Sequence, residues 1–191
     1  MRGSDYQREE NYNEFLRLQQ NNDYIDVTYD EPSGGVSAVH KLHKFDKQVG
    51  VNGQRRGDYE KMVVDVLRRL GHRVVLEAEL SSGPKKCDGL LDDTPMEIKT
   101  VEGDGLWSIS TKLRNSAQQH AKCVVLFFPE ENLYSPSRVS DGIRLLQSNP
   151  DSDKLPELSK ILAIVSNRLD LEWDKKTTPI EGWSIQEGLR R

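Results

Sequence analysis

The run that most constrains this chain is "KCVVLFF", residues 122–128, closed by Pro129. Its seven residues, rich in β-branched and aromatic side chains, suit a strand buried on both faces, because a half-buried strand alternates apolar with polar positions. Around it the pattern is mixed. Between Asp58 and Leu70, apolar Tyr59, Met62, Val63, Val66, Leu67 and Leu70 recur at helical spacing, with Asp58 expected to cap the start and Gly71 the end. "HRVVLEAEL" then reads as a strand closed by Gly83-Pro84, and "KKCDGLL" and "PMEIKTV" as two more around "DDT". "WSISTKLRNSAQQHA" is a helix with Ile109, Leu113, Ser116, Ala117 and His120 on one face. A helix near Val139–Gln147 follows, then a hairpin of "KILAIV" and "RLDLEW" across Ser166-Asn167. Helix, three strands, helix, strand, helix and hairpin predict an α/β sandwich on a mixed sheet, not a doubly wound one.

The first residues read differently. Residues 1–54 are expected to form an N-terminal arm: "YNEFLRLQQ" is a short helix, "DEPSGG" a breaker, and "GVSAVHKLHKF" holds a short, loosely alternating strand. Residues 55–173 are expected to form the main domain and 174–191 a tail. With 35% hydrophobic and 30% charged residues, no run long enough to span a membrane appears. No basic start leading into an apolar segment is seen, so a cytoplasmic protein is expected, including the cytoplasm of a target cell reached through a carrier. Cys87 and Cys123 lack C-x-x-C spacing and are expected to be reduced, buried thiols.

The formal charge of -4 argues against nonspecific attraction to nucleic acid over the whole surface. Locally the balance reverses: from Val36 to Arg56, Lys41, Lys44, Lys47, Arg55 and Arg56 face only Asp46. Either this is a solvated face or it is a local phosphate-binding stretch. Lys41, Lys44, Arg55, Arg56, Lys112 and Arg114 are the candidate phosphate contacts.

The chemistry concentrates in "KCDGLLDDTPMEIKTV". Glu97 and Lys99 lie two apart on a strand and leave one face, while Ile98 points into the core. Asp88 joins them only if the hairpin loop has an even residue count, as with Asp93-Thr94 or Asp92 to Pro95; a three-residue loop turns it to the opposite face. Two carboxylates and an ammonium together would suit a divalent metal, which takes carboxylate and phosphate oxygens and activates water for attack on a phosphodiester. Glu60, at the edge of the apolar stripe in the first turn of its helix, is a candidate third carboxylate. The spacing D-x8-E-x-K is common by itself, and an exposed hairpin with an incidental ion pair would show it too.

His40 and His43 form H-x-x-H with no evident third ligand, which reads as surface or substrate-phosphate contact rather than zinc. Asp92 and Asp93 read as turn residues. Phe127 and Phe128 are core. Trp107, at a helix entrance, either stacks on a nucleotide or staples the helix.

The helix with Glu60, then Asp88, "MEIK" and the helix with Gln118 resembles the PD-(D/E)xK nuclease superfamily. More closely, "GDYEKMVVDVLRRLGHRVVLEAE", "CDGLLDDTPMEIKTVEG", "AKCVVLFF" and "KILAIVSNRLDLEW" resemble the C-terminal nuclease domains of contact-dependent inhibition toxins, which also occur with phage-head-like proteins and on mobile elements. The resemblance implies a restriction-endonuclease-like fold and a Mg2+- or Mn2+-dependent endonuclease, often acting on tRNA. It implies Asp88, Glu97 and Glu60 at the metal, Lys99 as catalytic, and a glutamine whose place falls on Gln118 or Gln119. A toxin would also need an immunity partner. The alternatives are a DNA nuclease of a phage or mobile element, and a non-catalytic nuclease-fold module in phage assembly.

Overall fold

The computed structural model describes residues 5–79, 87–148 and 158–174. The Gly83-Pro84 breaker and the tail beyond residue 174 lie outside them. In chain order the elements are α1 (Asp5–Gln19), β1 (Tyr24–Asp30), β2 (Gly35–His40), α2 (Arg56–Arg69), β3 (Arg73–Leu76), β4 (Gly89–Leu91), β5 (Thr94–Thr100), α3 (Ser108–Gln118), β6 (Cys123–Phe128), α4 (Pro136–Gln147), β7 (Lys160–Val165) and β8 (Arg168–Asp174). The strands form one eight-stranded sheet in sequence order. β2–β3, β5–β6 and β6–β7 pair parallel; the other neighbours pair antiparallel. The chain is thus mixed α/β. Among the described residues, no helix is long and apolar enough to cross a membrane.

Alternation along β6 sets the layers. Val124, Leu126 and Phe128 pack with Ile109, Leu113 and Ala117 of α3 and Val139, Ile143 and Leu146 of α4. Cys123, Val125 and Phe127 pack on the other side with Tyr59, Val63, Val66 and Leu67 of α2. Every residue of β6 is buried, as the uninterrupted apolar run predicts.

α2 begins two residues earlier than its apolar spacing suggests. Its N-cap is Arg55, with no side-chain cap, and Asp58 stands in the first turn, where a negative charge suits the helix dipole. The end follows expectation: Gly71 takes φ +94, its N–H donates to Arg68 O at 2.9 Å, and His72 N–H donates to Leu67 O at 3.1 Å. This is a Schellman ending, which needs a left-handed residue.

The N-terminal segment is more integrated than an appendage. β1 and β2 belong to the sheet, and β2 is buried on both faces because Val39 lies under α2 and Ala38 under Leu18 of α1. α1 buries only Leu18 and Asn11. Asn11 Nδ2 donates to Gly34 O at 2.9 Å and Gly71 O at 3.1 Å, which ties α1 to the start of β2 and the end of α2. β1 went unrecognised in the sequence because "YIDVTYD" is an edge strand with mostly exposed or half-exposed positions.

The β4–β5 turn is Asp92-Asp93, with φ of 48° and 64°. Two successive positive φ values make the I′-like two-residue turn that matches strand twist, and Asp tolerates that conformation. Asp92 also anchors β3: Oδ1 accepts from Arg73 N–H at 2.8 Å, and Oδ2 lies 2.7 Å from His72 Nδ1. Burial alone would raise the Asp92 pKa, but the His72 hydrogen bond and charge and the Arg73 amide bring it below the ordinary 3.8. A depressed carboxyl pKa stabilises the fold above the unfolded-state value and loses that contribution as pH falls through the folded value. Asp92→Asn should therefore lower stability by about 1 kcal/mol at neutral pH. The gap should close below the ordinary 3.8, as read by urea midpoints across pH. A gap that persisted undiminished in acid would mean that the carboxylate charge contributes nothing.

Candidate active site

The two-residue turn fixes the parity that decides the site. Gly89 pairs with Met96 and Leu91 with Thr94, so extending the register by one residue sets Asp88 across from Glu97. The loop is Asp92-Asp93 rather than either even-count loop considered from sequence, and its parity is the same. Asp88, Glu97 and Lys99 therefore share one face. Ile98 points to the opposite face, in the cluster beneath α2.

Hydrogen bonds hold the group together. Asp88 N–H donates to Glu97 Oε2 at 3.1 Å, and Ile98 N–H donates to Asp88 Oδ2 at 2.7 Å. Glu77 N–H donates to Asp88 O at 2.9 Å, fastening the start of the hairpin to the end of β3. Lys99 Nζ donates to Glu97 Oε1. Glu97 is 0% exposed, and the Lys99 side chain is 20% exposed. The cluster thus meets solvent through Lys99 and the half-buried Asp88, not through Glu97. Burial raises the Asp88 pKa, opposed by the Ile98 amide and Lys99 and assisted by the charge of Glu60. Burial and then the Asp88 charge raise the Glu97 pKa, against the pull of Lys99.

Glu60 approaches from α2 and lies within electrostatic range of Asp88. Its Oε2 lies 3.1 Å from His43 Nε2, and His43 Nδ1 lies 3.0 Å from Glu77 O. The His43 side chain is 0% exposed, so this histidine is not the surface contact that the sequence suggested. A carbonyl and a carboxylate both accept, so the ring meets both best with a proton on each nitrogen. Burial opposes that charge, but the Glu60 hydrogen bond, the Glu77 carbonyl and the Glu60 and Glu79 carboxylates outweigh it and raise the His43 pKa. His40 goes elsewhere: its Nδ1 accepts from Leu42 N–H at 3.1 Å, and its ring meets Tyr24 edge-on.

The helix phase of α3 separates its two glutamines. Gln118 is exposed, while Gln119 is half-buried and its carbonyl accepts the Cys87 thiol at 3.2 Å. That contact is made by the Gln119 backbone carbonyl; the Gln119 side chain turns back along the helix, its Nε2 donating to Asn115 O at 3.2 Å. Cys87 lies just before β4, not in a strand, and is half-buried; burial and the charges of Glu97 and Asp88 push its thiol up to about 11. Cys123 is buried, and burial pushes it up to about 12. Both thiols are free and protonated at neutral pH.

The basic candidates divide. Lys41 pairs with Asp23 at 2.7 Å. Arg56 pairs with Glu102 and donates to Gln48 Oε1 at 2.7 Å. Lys44 and Arg55 are exposed in the segment between β2 and α2. Lys112 is half-buried, within electrostatic range of Lys99 and Arg56. Arg114 and Trp107 line a groove of about 260 Å³ between α3 and α4 with Ser110, Thr111, Leu145 and Leu146. Trp107 is 61% exposed and is itself the N-cap residue of α3, so it does not serve as a buried staple.

Among the described residues, no three His, Cys, Asp or Glu side chains stand gathered as a ready metal-ligand set. The donor chemistry of Asp88 and Glu97 nevertheless fits a hard dication, since both are oxygen ligands whose charged forms are disfavoured by burial without a nearby cation. Comparison with protein-family models, curated proteins and solved structures finds no match, so the chemistry of this site rests on its own residues.

Proposed function

We propose that this chain is a divalent-metal-dependent nuclease that hydrolyses phosphodiester bonds in RNA, built on a restriction-endonuclease-like core of α2, β3–β5, α3 and β6. One observation carries the reading: Asp88 and Glu97 lie side by side on one face of the β4–β5 hairpin, with Lys99 hydrogen-bonded to Glu97. The preference for RNA, tRNA in particular, comes from the resemblance to contact-dependent inhibition toxins. Asp88 and Glu97 would hold Mg2+ or Mn2+, with Glu60 as an outer carboxylate. The bound ion supplies a water of lowered pKa and neutralises charge on the phosphoryl group.

The chain's own groups do the rest. The Ile98 amide fixes one Asp88 oxygen, and the Asp88 amide fixes one Glu97 oxygen, so both carboxylates are oriented before any ligand arrives. Lys99 is the group able to donate to a phosphoryl oxygen or orient the attacking water, because its ammonium reaches solvent. His43 holds Glu60 in place through the carboxylate it contacts.

The deciding experiment incubates the protein with tRNA and with duplex DNA, each with Mg2+ or Mn2+ and each with EDTA. RNA cleavage abolished by EDTA is expected. Cleavage of DNA alone would move the substrate to DNA. Absence of cleavage in every metal condition would overturn the nuclease reading in favour of a binding module. If the protein is a toxin, its expression should arrest growth, an immunity partner should relieve the arrest, and Lys99→Ala should remove it.

A further inference from the structure

A cavity of about 220 Å³ opens between α2 and the part of the sheet where β1, β2 and β3 lie side by side. Val39, Val64 and Leu76, all buried, and the half-buried Phe45 ring give it apolar and aromatic walls. Ser37 stands two residues before Val39 on β2, so both leave the face of the sheet that α2 covers. It is 6% exposed, lines the cavity, and its hydroxyl makes no hydrogen bond to any described residue. A hydroxyl hidden from solvent without a partner is unfavourable, so one that lines a cavity marks where a hydrogen-bonding ligand would be held. Asp26 lines the same cavity at the register shift of β1, where its φ is 52°, and its carboxylate also has no partner among the described residues. The cations there are engaged: Arg68 pairs with Asp30 at 3.2 Å and with Asp65, and Lys61 Nζ lies 4.8 Å from the centre of the Phe45 ring. The cavity adjoins the candidate active site. The Phe45 and His43 rings meet edge-on with centroids 4.8 Å apart, and His43 Nε2 lies 3.1 Å from Glu60. Glu60 and Lys61 are successive residues of α2, one engaged with His43 and the other lining the cavity.

We propose that this cavity seats one unstacked base of the nucleic-acid strand that crosses the site, and that Asp26 selects an amino-bearing base such as cytosine over uracil. The inference rests on the nuclease reading, which supplies the identity of the strand. A phosphate does not suit the cavity, because it would meet the carboxylates of Asp26 and Asp65 while Arg68 is already held by Asp65 and Asp30. A base does, since its faces are apolar and its edge carries donors and acceptors. Pockets for drug-sized ligands run to about 300–1,000 Å³, so this smaller cavity suits a ring and leaves sugar and phosphate outside. The Asp26 carboxylate only accepts, which fits the exocyclic amino group of cytosine or adenine, whereas uracil presents a carbonyl oxygen in its place. Ser37 donates or accepts, and completes the base edge from the buried end of the cavity.

The test measures binding of single-stranded cytidine and uridine hexamers to the full chain with EDTA present, so that binding is read without cleavage. The same comparison with dC and dT hexamers covers a DNA strand. Wild type should bind the cytidine hexamer about 5-fold or more tightly than the uridine hexamer, the discrimination of one well-made base contact. Asp26→Asn, whose amide both donates and accepts, should abolish that preference. Ser37→Ala should weaken cytidine binding about 3-fold or more with an unchanged slope of log K against log salt, because no phosphate contact is lost. Without nucleic acid, Ser37→Ala should melt no lower than wild type, since it removes a hydroxyl that has no partner. Thr28→Trp, at an exposed position lining the cavity, should obstruct it and weaken both hexamers. Wild-type affinity and preference in all three variants would overturn the base seat while leaving nucleic-acid binding intact. A cytidine preference that survives Asp26→Asn would overturn the selection by Asp26. A lowered Tm of Ser37→Ala without nucleic acid would make the hydroxyl a structural support and also overturn the seat. If wild type binds neither RNA nor DNA, the nuclease reading fails, and the base seat fails with it.

Discussion

Glu97→Gln is expected to reduce metal-dependent cleavage by about 10²–10³-fold or more while the chain still folds. The substitution preserves shape and keeps an acceptor for Asp88 N–H, but it removes the charge that a dication would neutralise and leaves Lys99 without its carboxylate. Loss of that pair should cost about 1–3 kcal/mol, moderated because the lysine reaches solvent. Combining Glu97→Gln with Lys99→Met should recover most of the stability and none of the cleavage, since the two side chains interact directly. Stability is read by urea denaturation and activity by single-turnover cleavage. A Glu97→Gln protein retaining near wild-type cleavage would place the chemistry elsewhere in the molecule.

The second large effect is structural. Gly89→Ala would put a Cβ 2.1 Å from Val75 O and 3.0 Å from Leu76 Cα, both backbone atoms of β3. Backbone cannot move aside as a flexible side chain does. Relief requires parting β4 from β3 along a contact that is only three residue pairs long: Val74 with Leu91, Val75 with Leu90, and Leu76 with Gly89. A loss of about 3 kcal/mol or more is expected, with the transition read by denaturant midpoint. Cleavage should fall too, because Asp88 is the preceding residue and its carbonyl accepts from Glu77 N–H. Gly103→Ala and Gly105→Ala, where a Cβ meets nothing within 4 Å, should stay within about 0.5 kcal/mol of wild type. Equal stability of Gly89→Ala would show that β3 and β4 do not pack as closely as described.

The elements legible in the sequence were those whose signal is local. α2 and α3 bury one stripe of their own residues, β6 is apolar throughout, and β7–β8 is a hairpin with a short turn. β1 and the double burial of β2 were not legible in the same way, because the cover on β2 comes from α1 and α2, which lie on either side of it in sequence and on opposite faces of the sheet. α1 gives little warning of this, since it packs through Leu18 and through a buried amide, Asn11, rather than through an apolar stripe.

The candidate site divides along the same line. That Glu97 and Lys99 share a face follows from their spacing on a strand, whatever surrounds them. Whether Asp88 joins them depended on one loop residue more or less, and the spacing allowed either. Asp92 and Asp93 settle it in the folded chain by adopting positive φ, with Asp92 held by His72 and the Arg73 amide, groups contributed by another strand and the turn before it. Likewise, Gln118 and Gln119 differ by a rotation of about 100° around the helix axis, and their unequal exposure is fixed only once Ile109, Leu113 and Ala117 settle against β6. His43 lies far from Glu60 in sequence terms, so no periodicity could reveal that its ring is buried between that carboxylate and the Glu77 carbonyl. Side-chain direction within one element is determined by backbone period and can be read residue by residue; burial, charge pairing and the meeting of separate strands depend on which surfaces finally cover one another, and those only the assembled sheet decides.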